Sequence, residues 1–242
     1  ARLAALDPDV AWFNLGVSMF GRSPLANLSG LLGPLAARCL RIPSVVTMHE
    51  AIEEADVEAL GLRDGAGTAL GAKLLTVLML QGDVTCVTLG CHARRVRESH
   101  PGRVILHIPH GAFDPPERLR EGAELELLHF GSQAPFKGLE LLLHVFQDVR
   151  MAYPEIQLTV AGAPHPRFPG YVERVRRRFR GQRGIRWVGT VPVPDVEAVF
   201  GRASVVVLPQ TATTGSSSVL CRAATWGRPV VASDLPELRA TA

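Results

Sequence analysis

The apolar residues of this chain gather in short β-branched runs, separated by stretches with helical spacing. AWFNL at 11–15, SVVTM at 44–48, DVTCVT at 83–88 and RVILHI at 103–108 have the length and side chains of buried strands. Between them, residues 24–40, 67–80 and 91–98 bring apolar positions onto one helical face, with Pro34 expected to kink the first helix. From residue 125 the rhythm restarts. Strands are expected at 125–130, 156–161, 185–188, 204–208 and 229–232, and helices at 138–150, 171–180, 193–200 and 217–226. Continuous apolar strands alternating with helices predict parallel sheets covered on both faces. The stretch DPPERLREGAE at 114–124 breaks the pattern with prolines and charges. It predicts two α/β domains, residues 1–116 and 125–242, joined by a linker at 117–124.

That layout directs attention to the loops leaving the carboxyl ends of strands, where open α/β sheets bind their ligands. Composition changes the picture little. Over 242 residues the hydrophobic fraction is 47% and the charged fraction 20%, ample for buried cores. A net charge of +3 is too small to indicate nucleic acid. Cys39, Cys86, Cys91 and Cys221 are scattered, with no CxxC pair or zinc spacing, and read as reduced thiols of a cytoplasmic protein. The longest apolar stretch, 66–80, holds Lys73 and several glycines and is too short and too broken to span a bilayer. No GxxxxGK[ST], HExxH or GxSxG occurs. Asp7-Pro8-Asp9 has the form of a metal-binding DxD, but it precedes a strand and contains proline, so it reads as a turn. No metal ligand is therefore assigned.

Two loops stand out. Gly131 and Ser132 follow one strand, and Lys137-Gly138 lead into the next helix. After the strand at 204–208 comes Pro209, and then six of the eight residues 211–218, among them Thr214, Ser216 and Ser217, are Ser or Thr around Gly215. Gly189 ends a further strand. Glycine- and hydroxyl-rich turns at helix starts offer backbone N–H groups and the positive end of a dipole, which suits a diphosphate. Lys137 adds a point charge. The plainer alternatives are a capped helix start at 215–218 and a solvated lysine at 137.

At these residues the chain resembles the retaining family-4 (group 1) glycosyltransferases. The matching pieces are Gly131 with Lys137-Gly138, Trp187-Val188-Gly189-Thr190, Val207-Leu208-Pro209 and Gly227-Arg228-Pro229-Val230-Val231-Ala232-Ser233. In the first half they are Pro43 through His49 and Ile108-Pro109-His110-Gly111. The resemblance implies a GT-B fold, two Rossmann-like doubly wound parallel-sheet domains facing a cleft. It implies transfer of a sugar from a nucleotide diphosphate sugar to an unidentified acceptor, with retention and without a metal or other cofactor. His49 matches the acceptor-side histidine and is the catalytic candidate. Gly131, Ser132, Lys137, Gly189, Thr214, Gly215, Ser216, Ser217 and Arg222 form the candidate donor and phosphate site.

The sequence also departs from the family. The arginine of the first loop is Ser132, and the two glutamates of E-x7-E are Thr214 and Arg222. Arg222 cannot accept from ribose hydroxyls as a glutamate would, because guanidinium only donates; it suits a phosphate instead. Two alternatives stay open on that account: a non-catalytic GT-B partner or binding module, and a GT-B sugar-nucleotide epimerase. The arginines at 174, 176, 177, 178, 180, 183 and 186 read as a solvated face. Their sharper reading, for residues 174–180, is peripheral contact with anionic lipid headgroups, which fits transferases using lipid-linked acceptors; the acceptor stays open between a lipid-linked and a small molecule. No aromatic platform accompanies them, so nucleic acid is not expected. The chain begins with Ala1 rather than Met. By resemblance, an opening strand and glycine loop are expected before Ala1, and the rest of the donor domain after Ala242.

Overall fold

A computed structural model of the chain describes residues 5–16, 19–20, 24–50, 65–117 and 125–242. The expected linker falls outside these residues at 118–124. Apart from the last two residues, the chain divides into two compact units. One is Ala1–His110 with Thr213–Ser216; the other is Gly111–Ala212 with Ser217–Ala240.

The first unit carries a parallel sheet in the order β1 (Ala11–Leu15), β2 (Ser44–Met48), β3 (Val84–Val87) and β4 (Val104–His107). Its helices are α1 (Pro24–Leu31), α2 (Gly33–Cys39), α3 (Ala66–Met79) and α4 (Gly90–Ser99). Leu15, Leu31, Val46, Met48, Met79, Val87 and Ile105 form the core. The single kinked helix expected over 24–40 is two helices, because Pro34 sits in the first turn of α2 instead of inside one long helix. Proline lacks the N–H an inner turn needs and fits the start of a helix without loss.

The second unit has a five-stranded parallel sheet. Along the chain come β5 (Glu126–Phe130), a 3-10 turn (Pro135–Lys137), α5 (Leu139–Ala152), β6 (Gln157–Ala161), α6 (Tyr171–Arg178) and β7 (Ile185–Gly189). A second 3-10 turn (Val193–Asp195), α7 (Val196–Arg202), β8 (Val205–Leu208), α8 (Ser218–Thr225), β9 (Val230–Ala232) and α9 (Pro236–Arg239) complete it. The strand order is β7-β6-β5-β8-β9. One core cluster lies under α5 and α6, around Leu143, Phe146, Leu158 and Val175. Another lies under α7 and α8, around Phe200, Leu220, Ala223 and Trp226. The first strand of the unit is therefore central, and the winding reverses between β5 and β8. That reversal opens a crevice at the carboxyl ends of the two strands.

At the opposite end of β5, the carboxylate of Glu126 is buried. It pairs with Arg186, accepts from Thr159 Oγ1 at 2.8 Å and lies 3.5 Å from Arg202. Arg186 thus belongs to a structural ion pair rather than to the solvated run in which the sequence placed it. A buried carboxylate needs such partners to offset its lost hydration.

Candidate functional site

Residues 131–138 leave β5 and residues 209–212 leave β8, so both segments stand at the reversal of the second sheet. Gly138 has φ +72°, and a side chain there would collide with the carbonyl of Pro209. Glycine is thus what lets the two segments touch. They are tied by Thr211 N–H donating to the Phe136 carbonyl at 2.8 Å and by Lys137 Nζ donating to Gln210 Oε1 at 3.1 Å. Gln210 is buried, and burial also lowers the pKa of Lys137. Among the described residues no carboxylate forms an ion pair with Lys137. A desolvated cation whose hydrogen-bond partner is a neutral amide is poised to take an anion.

A second polar group lies just behind. His129, in β5, is buried. Its Nδ1 is 3.3 Å from the Val207 carbonyl, and its Nε2 is 3.2 Å from Gln133 Oε1. The Gln133 amide nitrogen donates to the carbonyls of Gly131 at 3.0 Å and Ala161 at 3.1 Å. It thereby ties the loop after β5 to the end of β6. Burial, helped by the Lys137 charge, pulls the His129 pKa down to about 4 from 6.5, against the hydrogen bonds to Val207 and Gln133 that raise it. The sign follows from linkage. The unfolded chain binds this proton first as pH falls, so the stabilising contribution is complete above pH 6.5 and lost on the way down to about 4. A shift of this size corresponds to about 3 kcal/mol. Urea unfolding at stepped pH should show that loss, and His129→Gln should flatten it.

The remaining candidates are placed as follows. Ser132 is exposed beside Gly131, which has φ +131°. Gly189 closes β7 with φ +72°, and its carbonyl accepts from Gly162 N–H at 2.6 Å. The Ser217 hydroxyl caps α8 by accepting from Leu220 N–H at 3.2 Å, which is the plainer of its two readings. Ser217→Ala should cost about 1 kcal/mol of stability, readable by thermal unfolding. Arg222, one turn into α8, lays its guanidinium over Phe113 with the carbon 3.8 Å from the ring centroid. In the first unit, His49 follows β2, and its Nε2 lies 3.3 Å from Asn14 Oδ1 on β1. Thr214 is half-buried, Gly215 packs against the His49 carbonyl, and Ser216 Oγ donates to Thr88 Oγ1 at 3.3 Å. Arg174, Arg176, Arg177, Arg178 and Arg180 are exposed; Arg178 pairs with Glu140 at 2.9 Å. Among the described residues, no helix is long and apolar enough to cross a membrane, and no group of three or more His, Cys, Asp or Glu is arranged to hold a metal.

The sequence reading missed His129, Gln133, Gln210 and Glu126. The available signal was a His and a Glu inside the apolar strand at 125–130, since polar residues in a buried strand must find partners.

Comparison with known proteins bears on the same region. Residues 124–242 match the family described as glycosyl transferases group 1. The phosphatidyl-myo-inositol mannosyltransferase of Propionibacterium freudenreichii subsp. shermanii is 30% identical over 101 residues, which are 42% of this chain and 23% of that protein. Sucrose-phosphate synthase from Thermosynechococcus elongatus matches in structure with a TM-score of 0.69 at 19% identity, over 97% of this chain and 58% of that one. HepE from Anabaena, solved with UDP and glucose, matches with a TM-score of 0.68 at 16% identity, over 96% of this chain and 61% of that one. The chain thus spans less than two thirds of each of these proteins. At such identities the structural matches speak for the fold. Both units are Rossmann-like parallel-sheet α/β domains of the GT-B type.

Proposed function

We propose, for a chain whose residues 124–242 match the group 1 glycosyl transferases, that it serves transfer of a sugar from a nucleotide diphosphate sugar to an acceptor. The observation that carries this reading is the half-buried Lys137 ammonium at the reversal of the second sheet, its pKa lowered by desolvation and its Nζ hydrogen-bonded to the neutral Gln210 amide. It is supported by the solved complex of HepE, which contains UDP and glucose. In this reading Lys137 meets the diphosphate and stabilises the charge that develops as the sugar leaves. Gly131, Ser132 and Gly189 line the approach with backbone. Ser217 holds the start of α8, whose positive dipole end faces anions favourably. His49 orients the donor sugar or the acceptor. The transfer retains anomeric configuration and uses no metal; Lys137 and backbone dipoles supply the electrostatics a metal would otherwise give.

The acceptor is a lipid-linked or small molecule. The exposed arginines of α6 and the lipid in the name of the Propionibacterium relative favour the lipid-linked case. They favour peripheral membrane contact at a cytoplasmic face as well. A second reading, a binding module without transferase activity, is favoured by one observation. Arg222 stands where the family has a glutamate, and its guanidinium stacks on Phe113.

Calorimetric titration with UDP-glucose and GDP-mannose, followed by assay for released nucleotide, tests both readings. Binding with slow nucleotide release supports the transferase. Binding with none, even with acceptor lipids added, supports the module. No binding by either sugar nucleotide refutes both.

A further inference from the structure

The His129–Gln133 pair raises a problem of hydrogen-bond accounting. The Gln133 amide nitrogen is committed to two carbonyls, Gly131 and Ala161, so its oxygen is what faces His129 Nε2. The other ring nitrogen faces a carbonyl as well, that of Val207. Both ring nitrogens therefore face acceptors. A neutral imidazole carries one N–H, so one of the two contacts sets a lone pair against an oxygen. Only the doubly protonated ring satisfies both. What opposes the second proton is lost hydration and the cation of Lys137 on the adjoining 3-10 turn. From the other packed elements, β8 presents the Val207 carbonyl and the loop after β5 the Gln133 amide, both neutral; beyond β6 lies the titratable His165, whose backbone N–H donates to the Gln133 carbonyl and whose ring feels the same Lys137 charge.

We propose that His129 and Gln133 form a buried positioning pair beneath residues 131–138, and that a nucleotide diphosphate bound at Lys137 enters together with a proton on His129. The inference rests on the donor-binding reading above and deepens it. The diphosphate neutralises the Lys137 charge and adds negative potential. The proton comes from solvent and lands on the ring nitrogen that lacks one, turning an acceptor–acceptor contact into an N–H donor bond. With both bonds made, Gln133 is held against Gly131 and Ala161, and the loop that meets the phosphates is fixed. His129 touches neither sugar nor phosphate in this scheme; it acts through Gln133.

The test is calorimetry of UDP-glucose binding in buffers of different ionisation enthalpy. The diphosphate bridge of this probe does not itself titrate in the range used. At pH 5.5 the wild-type chain should take up roughly a third of a proton per ligand bound, with affinity about 1.5-fold higher than at pH 7.5. In a His165→Gln background, which silences the other imidazole held down by the Lys137 charge, His129→Gln should bind with no uptake at pH 5.5 and with an affinity that does not change between the two pH values. Burial lowers the Lys137 pKa as well, so the uptake is assigned to His129 by its loss in His129→Gln. Binding by wild type without proton uptake at pH 5.5 overturns the inference while leaving the donor site intact, as does unchanged uptake in His129→Gln. Absence of binding at every pH overturns the donor site and the inference together. Should His129→Gln not fold, the same buffer series on His165→Gln, which keeps His129, decides alone.

Discussion

Lys137→Ala should weaken sugar-nucleotide binding by about 10- to 150-fold while leaving the chain about as stable as before. The loss follows from the kind of contact removed. A hydrogen bond to a charged group is worth about 1.5–3 kcal/mol, and each 1.4 kcal/mol is a factor of ten in affinity. The stability half of the prediction has the opposite origin. Burial lowers the Lys137 pKa, so the folded protein bears the cost of a partly desolvated charge that no carboxylate among the described residues offsets. Removing that charge relieves the cost and loses one bond to Gln210, and the two changes nearly cancel. Unfolding and binding measured on the same variant therefore separate a ligand-binding lysine from a structural one. A structural lysine would show the reverse: a clear drop in stability and unchanged affinity.

Gly138→Ala should cost about 2–5 kcal/mol of stability. The residue has φ +72°, where an L side chain pays about 1–2 kcal/mol in backbone energy. The added methyl also collides with the Pro209 carbonyl, and forcing extra atoms into a packed site costs about 1–3 kcal/mol more. Such a loss is a large share of the 5–15 kcal/mol typical of a folded domain. Relief of the collision would part the loops of β5 and β8, stretching Thr211 N–H from the Phe136 carbonyl and Lys137 from Gln210. Nucleotide affinity should fall even where the variant stays folded. Gly102→Ala is the control: Gly102 has φ +88° with no atom within 4 Å of the added carbon, so it should show the backbone cost alone. Thermal and urea unfolding of the two variants should differ by the collision term.

The alternation of elements was legible because buried parallel strands are written as contiguous β-branched runs. The boundaries that moved have local causes. Pro34 opens a new helix instead of bending one, and a left-handed Gly138 separates a 3-10 turn from α5. The candidate loops were legible as well, since glycine, serine and threonine after a strand announce a turn before a helix start. What escaped the sequence reading was pairing across distance. His129 meets Val207, Lys137 meets Gln210 and Glu126 meets Arg202 across more than 70 residues of chain. A single His or Glu in an apolar strand looks like noise until its partner is known. Arg222 illustrates the same point from the other side: its charge suggested a phosphate ligand, and its stacking partner, Phe113, lies beyond the reach of any local pattern.

The central claim is that the crevice at the reversal of the second sheet holds a nucleotide diphosphate through Lys137. A crystal structure of the chain with the sugar nucleotide selected by titration tests it most directly. A phosphate oxygen should lie within hydrogen-bond distance of Lys137 Nζ, with the Gly131 turn against the diphosphate. A bound nucleotide whose phosphates lie elsewhere, with Lys137 still bonded to Gln210 alone, would contradict it.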